Sequence, residues 1–184
     1  MRVTINGGHY PNLDSGAIGK TGLQEAVITK DVMQRVAAYL KVIAYEVLEV
    51  QKNELYEITS ASNSFHADVF ISIHCNAAGN DLAKGAETWY QDNSLKGEKL
   101  ANCIQKQIVN SITYNDGKNI VDRGIKAAVP GISGLYVLNQ TNCPAVLVEL
   151  AFITNSEDEK LLAESSKRDE FARAIARGIT DYWL

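Results

Sequence analysis

Two histidines and two glutamates carry the chemistry that can be read from this chain. His9 follows the apolar start Val3-Thr4-Ile5 and then Asn6-Gly7-Gly8, His74 closes the run Val69–Ile73, and Glu149 closes Ala145–Val148. Glu25 opens a helical pattern. Each therefore sits where a strand pattern ends or a helix pattern begins. In open α/β sheets, ligands gather in the crevice outside the carboxyl ends of the strands. Two imidazoles and two carboxylates converging there have the composition of a hydrolytic zinc site, with three ligands, an open position and one free carboxylate as base.

Taken singly, each residue also has a plainer reading. At about 100° per residue, Ile28, Val32, Val36, Tyr39 and Ile43 share the side of the helix on which Glu25 lies. A carboxylate on that stripe is costly to bury without a partner, although an acid in the first turn also complements the helix dipole. His74 could be a satisfied core or rim residue, and His9 a loop residue. Glu149 is the strongest oddity. It interrupts Ala145–Ile153, an otherwise apolar segment, so it must pair, neutralise or bind something, and a buried salt bridge to Arg123 or Lys126 is the alternative to catalysis. The remaining histidine, His66, lies in the turn before a strand and reads as surface. Cys75 adjoins His74, but neighbouring strand residues point to opposite faces, so it reads as a small core residue.

The elements that would position these groups alternate between strand and helix, which predicts an α/β fold with a mostly parallel twisted sheet and helices on both faces. Strand 2–6 leads through a Gly-rich loop, 7–22, into a helix over 23–43. Strand 45–50, a helix within 54–65 and strand 69–73 follow. Residues 86–91 read as a short strand that could lie at an edge. A helix over 95–112 is marked by Leu100, Ile104, Ile108 and Ile112 at i+4 spacing. Residues 113–134 are rich in turn signals, and 135–138 and 145–150 read as the last strands. Ser156-Glu-Asp-Glu159 has the capping-box pattern and opens a helical region running to about Tyr182. With no repeat or linker, the pattern predicts one domain over residues 1–184.

With 184 residues the chain is long enough to bury a substantial core. Its 46% apolar and 22% charged fractions are those of a globular protein, and a net charge of −4 without a basic cluster argues against nucleic-acid binding. Its apolar runs are too short to span a bilayer, which argues against membrane insertion. Met1-Arg2-Val3 leads straight into a strand without the parts of a signal peptide. The expectation is a domain excised from a secreted protein or one released by another route, such as that of a phage lytic enzyme. Three widely spaced cysteines do not make a disulfide framework.

In their order, the blocks along the chain resemble the zinc-dependent N-acetylmuramoyl-L-alanine amidases of the type-3 amidase family, enzymes of bacterial peptidoglycan. They are Gly8-His9 with Asp14-Ser-Gly-Ala17 and Gly22-Leu-Gln-Glu25, Asn63 with Ala67–Ala77, Gly85-Ala-Glu-Thr88, Arg123-Gly-Ile-Lys126, Leu135-Tyr-Val-Leu138, and Pro144–Asn155. The resemblance covers nearly the whole chain. It implies that His9, Glu25 and His74 bind one Zn²⁺, that Glu149 is the catalytic acid–base, and that the fold is a mixed α/β sheet flanked by helices. Asn76 and Arg123 are the expected substrate-facing residues. The first block departs from the usual Asp-Pro-Gly-His-Gly-Gly, reading Asn6-Gly-Gly-His-Tyr-Pro11. Some relatives plug the site with a long helical insertion, whereas only Asp92–Ser94 separate strand and helix here, which predicts an open site.

The implied function is hydrolysis of the amide between N-acetylmuramic acid and L-alanine, by a protein expected to be a monomer acting at the cell wall. A zinc carboxypeptidase-like enzyme cutting stem peptides and a non-catalytic peptidoglycan-binding or regulatory domain are the rival readings. The intact set of four favours the enzyme, because binding alone has no need of both the ligands and the base.

Overall fold

The computed structural model describes residues 1–132 and 135–184. Its centre is a six-stranded sheet in the order β2-β1-β3-β6-β4-β5, formed by β1 (Arg2–Gly7), β2 (Glu46–Val50), β3 (Val69–Asn76), β4 (Ala86–Gln91), β5 (Asp122–Ala128) and β6 (Ala145–Phe152). All neighbours pair in parallel except β4 with β6. The middle strands are covered on both sides, which is why β3 and β6 read as nearly unbroken apolar runs.

One face is packed by α1 (Glu25–Val42), α3 (Leu95–Ser111) and α6 (Ser165–Tyr182). Val32 and Val36 of α1, Ile104 and Ile108 of α3, and Phe171 and Ile175 of α6 all have zero exposure, as do Val3, Ile71 and Val148 from the strands beneath. The predicted i+4 stripe from Leu100 to Ile112 is buried throughout. The other face carries the shorter α2 (Leu55–Phe65) and α4 (Tyr136–Gln140), which pack Ile58, Val137 and Leu138 against Phe70 and Leu147. After β6, α5 (Ser156–Ala163) leads into α6.

Four expectations are corrected. Residues 86–91 do not form an edge strand. β4 pairs on both sides, and the edges are β2 and β5. Within the turn-rich stretch lies β5, whose Arg123-Gly-Ile-Lys126 lacks the apolar run of a buried strand because it lies at the edge; positions 133 and 134 of that stretch are outside the described residues. Leu135–Leu138 is not a strand but leads into α4, where Val137 and Leu138 seal the short core under Leu147. Finally, Ser156 is not the cap of the last helical region. The Asn155 side chain accepts from the backbone N–H groups of Glu157 and Asp158, and the buried Glu159 carboxylate is taken up by Thr21 instead. The region is also two helices, because Glu164 adopts an extended conformation between α5 and α6.

Candidate metal centre and its carboxylates

The carboxyl ends of β1 and β3 and the first residue of α1 bring three of the predicted groups together. His9 Nε2 lies 3.2 Å from Glu25 Oε2, and His74 Nδ1 lies 3.0 Å from Glu25 Oε1. The two rings meet edge to face at 5.2 Å. One donor atom from each of His9, Glu25 and His74 falls within 4.8 Å of the others, and among the described residues this is the cluster able to hold a metal ion.

Local backbone explains how such unlike groups converge. Parallel pairing of β1 with β3 sets Gly7 beside Ile73, so the chain leaves β1 directly over His74. A Cβ on Gly8 would lie 2.2 Å from the His74 ring, which leaves glycine as the residue that fits. His9 itself takes the left-handed conformation at φ 61°, uncommon for a residue with a side chain and a feature that clusters at functional sites. The loop then returns through Gly16, also at positive φ, where a Cβ would meet the His9 ring at 2.6 Å and the Glu25 carboxylate at 2.7 Å. Ala17 N–H donates to Glu25 Oε2 at 3.0 Å, and the far side of the loop is tied down by Thr21, whose N–H and hydroxyl both donate to Glu159 Oε1.

Glu25 is 3% exposed, and burial alone would raise its pKa. The hydrogen bonds from His74 and His9, with the Cys75 backbone N–H at 2.9 Å, outweigh that and hold the carboxyl well below the ordinary range. In turn Glu25, with Asp14 adding to it, raises His9 from 6.5 to about 9. Asp14 Oδ2 lies 2.7 Å from His9 Nδ1 and fixes the ring so that Nε2 faces Glu25. A carboxylate on the outer nitrogen of a histidine is the usual support of a metal ligand. Two ring nitrogens and a depressed carboxylate form a donor set that suits Zn²⁺.

Glu149 sits one strand over. It is opposite His74 in the parallel β3–β6 pairing and opposite Glu87 in the antiparallel β6–β4 pairing. Its Oε2 is buried without a hydrogen-bond partner among the described residues. Burial, with Glu25 and Glu87 adding their repulsion against the pull of His74, pushes its pKa up to about 7. The salt-bridge alternative for Glu149 is overturned. Arg123 Nε and Lys126 Nζ lie 2.6 and 2.5 Å from Glu87 Oε2 instead. Asn76 Nδ2 and Trp89 Nε1 each donate to Glu87 Oε1 at 3.0 Å. The two residues expected to face substrate, Asn76 and Arg123, therefore meet at one buried carboxylate.

His66 caps α2 in a left-handed conformation, exposed and away from the cluster. The Cys75 side chain is buried in the core on the opposite face from His74, and only its backbone serves the site. Asp14 and Glu87 are the residues not singled out from sequence. Asp14 was visible as an acid five residues beyond His9, and Glu87 as an acid in a strand that proved to be interior. A cavity of about 360 Å³ opens beside His9 and His74, walled by Lys52 and Asn53 and by Leu55, Ile58, Tyr136 and Val137. α3 begins four residues after β4 ends, so no helical insertion stands over the site from that side.

The geometry matches known proteins. The sequence is 34% identical over 187 residues to the N-acetylmuramoyl-L-alanine amidase LytC of Bacillus subtilis, covering 98% of this chain but 35% of that protein. Among solved structures, the amidase AmiC2 of Nostoc punctiforme superimposes with a TM-score of 0.87 at 31% identity, covering 100% of this chain and 97% of that one. The catalytic domain of the amidase CwlV from Bacillus (Paenibacillus) polymyxa gives 0.85 at 29% identity, with 99% and 97% covered. The family model described as N-acetylmuramoyl-L-alanine amidase matches residues 3–181, and the chain belongs to that family.

Proposed function

We propose that residues 1–184 form a catalytic domain that hydrolyses the amide between N-acetylmuramic acid and L-alanine in peptidoglycan, with one Zn²⁺ held by His9, Glu25 and His74. The observation that carries this reading is an unpartnered, buried Glu149 oxygen one strand from a two-histidine, one-carboxylate cluster. Family membership supplies the substrate. When bound, zinc supplies a Lewis acid that polarises the amide carbonyl and lowers the pKa of water to about 7.

The chain's own groups divide the remaining work. Glu149, with a pKa pushed up to about 7, is matched to taking a proton from the attacking water near neutral pH and passing it to the departing L-alanine nitrogen. Asp14 keeps His9 oriented through Nδ1. Asn76 and Arg123, held at Glu87, face the substrate. Arg123 Nε is engaged by Glu87, and on this reading its remaining guanidinium nitrogens meet a polar group of the stem. The cavity beside His9 and His74 offers apolar walls for part of the substrate. On this reading the protein acts at the cell wall as a monomer. Among the described residues no helix is long and apolar enough to cross a membrane.

Digestion of purified peptidoglycan tests the proposal. Free stem peptides beginning in L-alanine should accumulate, and a chelator should abolish them until zinc is restored. Shortened stems would instead identify a peptidase, and the absence of any product a binding module.

A further inference from the structure

We propose that Glu87 is a positioning residue that keeps Glu149 available for proton transfer by holding Arg123 and Lys126 away from it. The inference rests on the role of Glu149 given above and concerns a residue to which that role assigns nothing.

Four strands carry the argument. Where β3 and β6 near their carboxyl ends and the antiparallel β4 begins, His74, Glu149 and Glu87 form a row of directly opposed residues. Adjacent strands lie about 4.8 Å apart, so the two glutamates are close neighbours, Glu87 buried and Glu149 partly so. On β5, beyond them, stand the two cations. Both reach inward over β4 and stop at Glu87 Oε2, at 2.6 and 2.5 Å. Their side chains are only about a third exposed, 33% for Arg123 and 32% for Lys126, and each is braced from a second side. Arg123 stacks over Phe152 at 4.7 Å and Lys126 over Trp89 at 5.2 Å.

Charge bookkeeping shows what Glu87 does there. A buried carboxylate without a partner is the strongest acceptor a nearby cation can find, because attraction grows as the local dielectric falls. Glu149 offers such an acceptor in its buried, unpartnered Oε2, and Arg123 and Lys126 are the cations two strands away on β5. They do not reach it, because Glu87 stands between them and accepts both. Asn76 and Trp89 fill the other oxygen of Glu87, so its carboxylate is fixed from four directions and cannot swing toward Glu149. A Glu149 clamped by either cation would be a poor proton acceptor and would point away from the metal cluster.

The test is a cycle of four proteins, each loaded with zinc: the wild type, Glu87→Gln, the double variant R123Q/K126Q, and the triple variant. Turnover and KM are measured on a soluble muramyl peptide, together with a crystal structure of Glu87→Gln. The expected result is a loss of at least tenfold in kcat for Glu87→Gln, with Arg123 or Lys126 found within 4 Å of the Glu149 carboxylate. In the background lacking both cations, Glu87→Gln should change kcat by less than threefold, whatever those cations contribute to KM. An equal loss in both backgrounds would make Glu87 merely structural, and a Glu149 still unpaired in Glu87→Gln would overturn the proposal. Should Glu87→Gln fail to fold, Glu87→Asp, which withdraws the carboxylate by one methylene, replaces it with the same expected rescue. If even the wild type releases no stem peptide, the proposed function fails, and the position of the cations in the crystal structure decides this inference by itself.

Discussion

The two faces of the sheet are built on different principles. Under α1, α3 and α6 the interior is mostly apolar, with Val3, Ile71, Val148, Ile104, Phe171 and Ile175 all without exposure, and its buried polar pair Thr88–Gln105 is hydrogen-bonded. Under α2 and α4 a band of buried polar groups runs across the strands. Ser62 donates to Thr4, Ser72 donates to Asn6 Oδ1 at 2.6 Å, and Asn6 donates in turn to the Val50 carbonyl. His74, Glu149 and Glu87 continue the band. The first face supplies burial free energy, at about 25 cal/mol per Å² of apolar surface. That stability lets the second face carry a carboxylate with nothing bonded to one of its oxygens. Stability and reactivity are thus largely divided between the two faces, with Glu25 reaching the metal cluster from the first turn of α1.

Substitutions can break or sharpen this contrast. The largest effect belongs to Glu149→Gln, which should lower kcat by about 10²–10⁴-fold, the usual contribution of an acid–base group. Zinc content by atomic absorption should be unchanged, since Glu149 lies outside the ligand set. On the opposite face, Phe171→Ala should cost about 3–5 kcal/mol in urea unfolding by opening a core cavity, while the fraction that stays folded keeps its zinc affinity. If Phe171→Ala disturbed metal binding as much as stability, the two faces would not be independent.

A smaller change is expected of Asp14→Asn, which removes the negative charge supporting His9 Nδ1 and should weaken zinc binding by about 10–100-fold in a competition titration. Weakest of all is the pH dependence of thermal stability in the metal-free protein, because the site is partly solvated. His9 is raised from 6.5 to about 9, so its contribution is full below pH 6.5 and lost as pH rises through about 9. Glu149 is raised from 4.5 to about 7, so it too favours the folded state less as pH rises through about 7. Glu25 is depressed, so its contribution is present above pH 4.5 and lost as pH falls. Melting temperature should therefore decline from about pH 5 toward pH 9, and in Glu149→Gln the part of that decline below about pH 6.5 should vanish.

The contrast also shows what the sequence could reveal. The apolar face was legible because its periodicities, such as Leu100 to Ile112, are long and uninterrupted. His9, Glu25, His74 and Glu149 were legible because each interrupts or terminates such a pattern. Glu87 was not, since Ala-Glu-Thr-Trp-Tyr-Gln alternates as an edge strand would, and only its pairing with both β5 and β6 makes that position interior. β5 was hidden for the converse reason, its charged residues and glycine masking an edge strand. α4 misled because Leu-Tyr-Val-Leu has strand-forming residues in a segment too short to show a helical period. Asp14 lies in a loop, where spacing alone does not reveal which ring nitrogen a carboxylate will meet.

The most direct test of the account is a crystal structure of the zinc-loaded protein with anomalous data at the zinc edge. One ion should appear, bound by a nitrogen from each of His9 and His74 and an oxygen of Glu25 at about 2.0–2.2 Å, with the Glu149 carboxylate nearby but not coordinated or salt-bridged. An ion located elsewhere, or Glu149 bound to the metal or to Arg123 or Lys126, would contradict it.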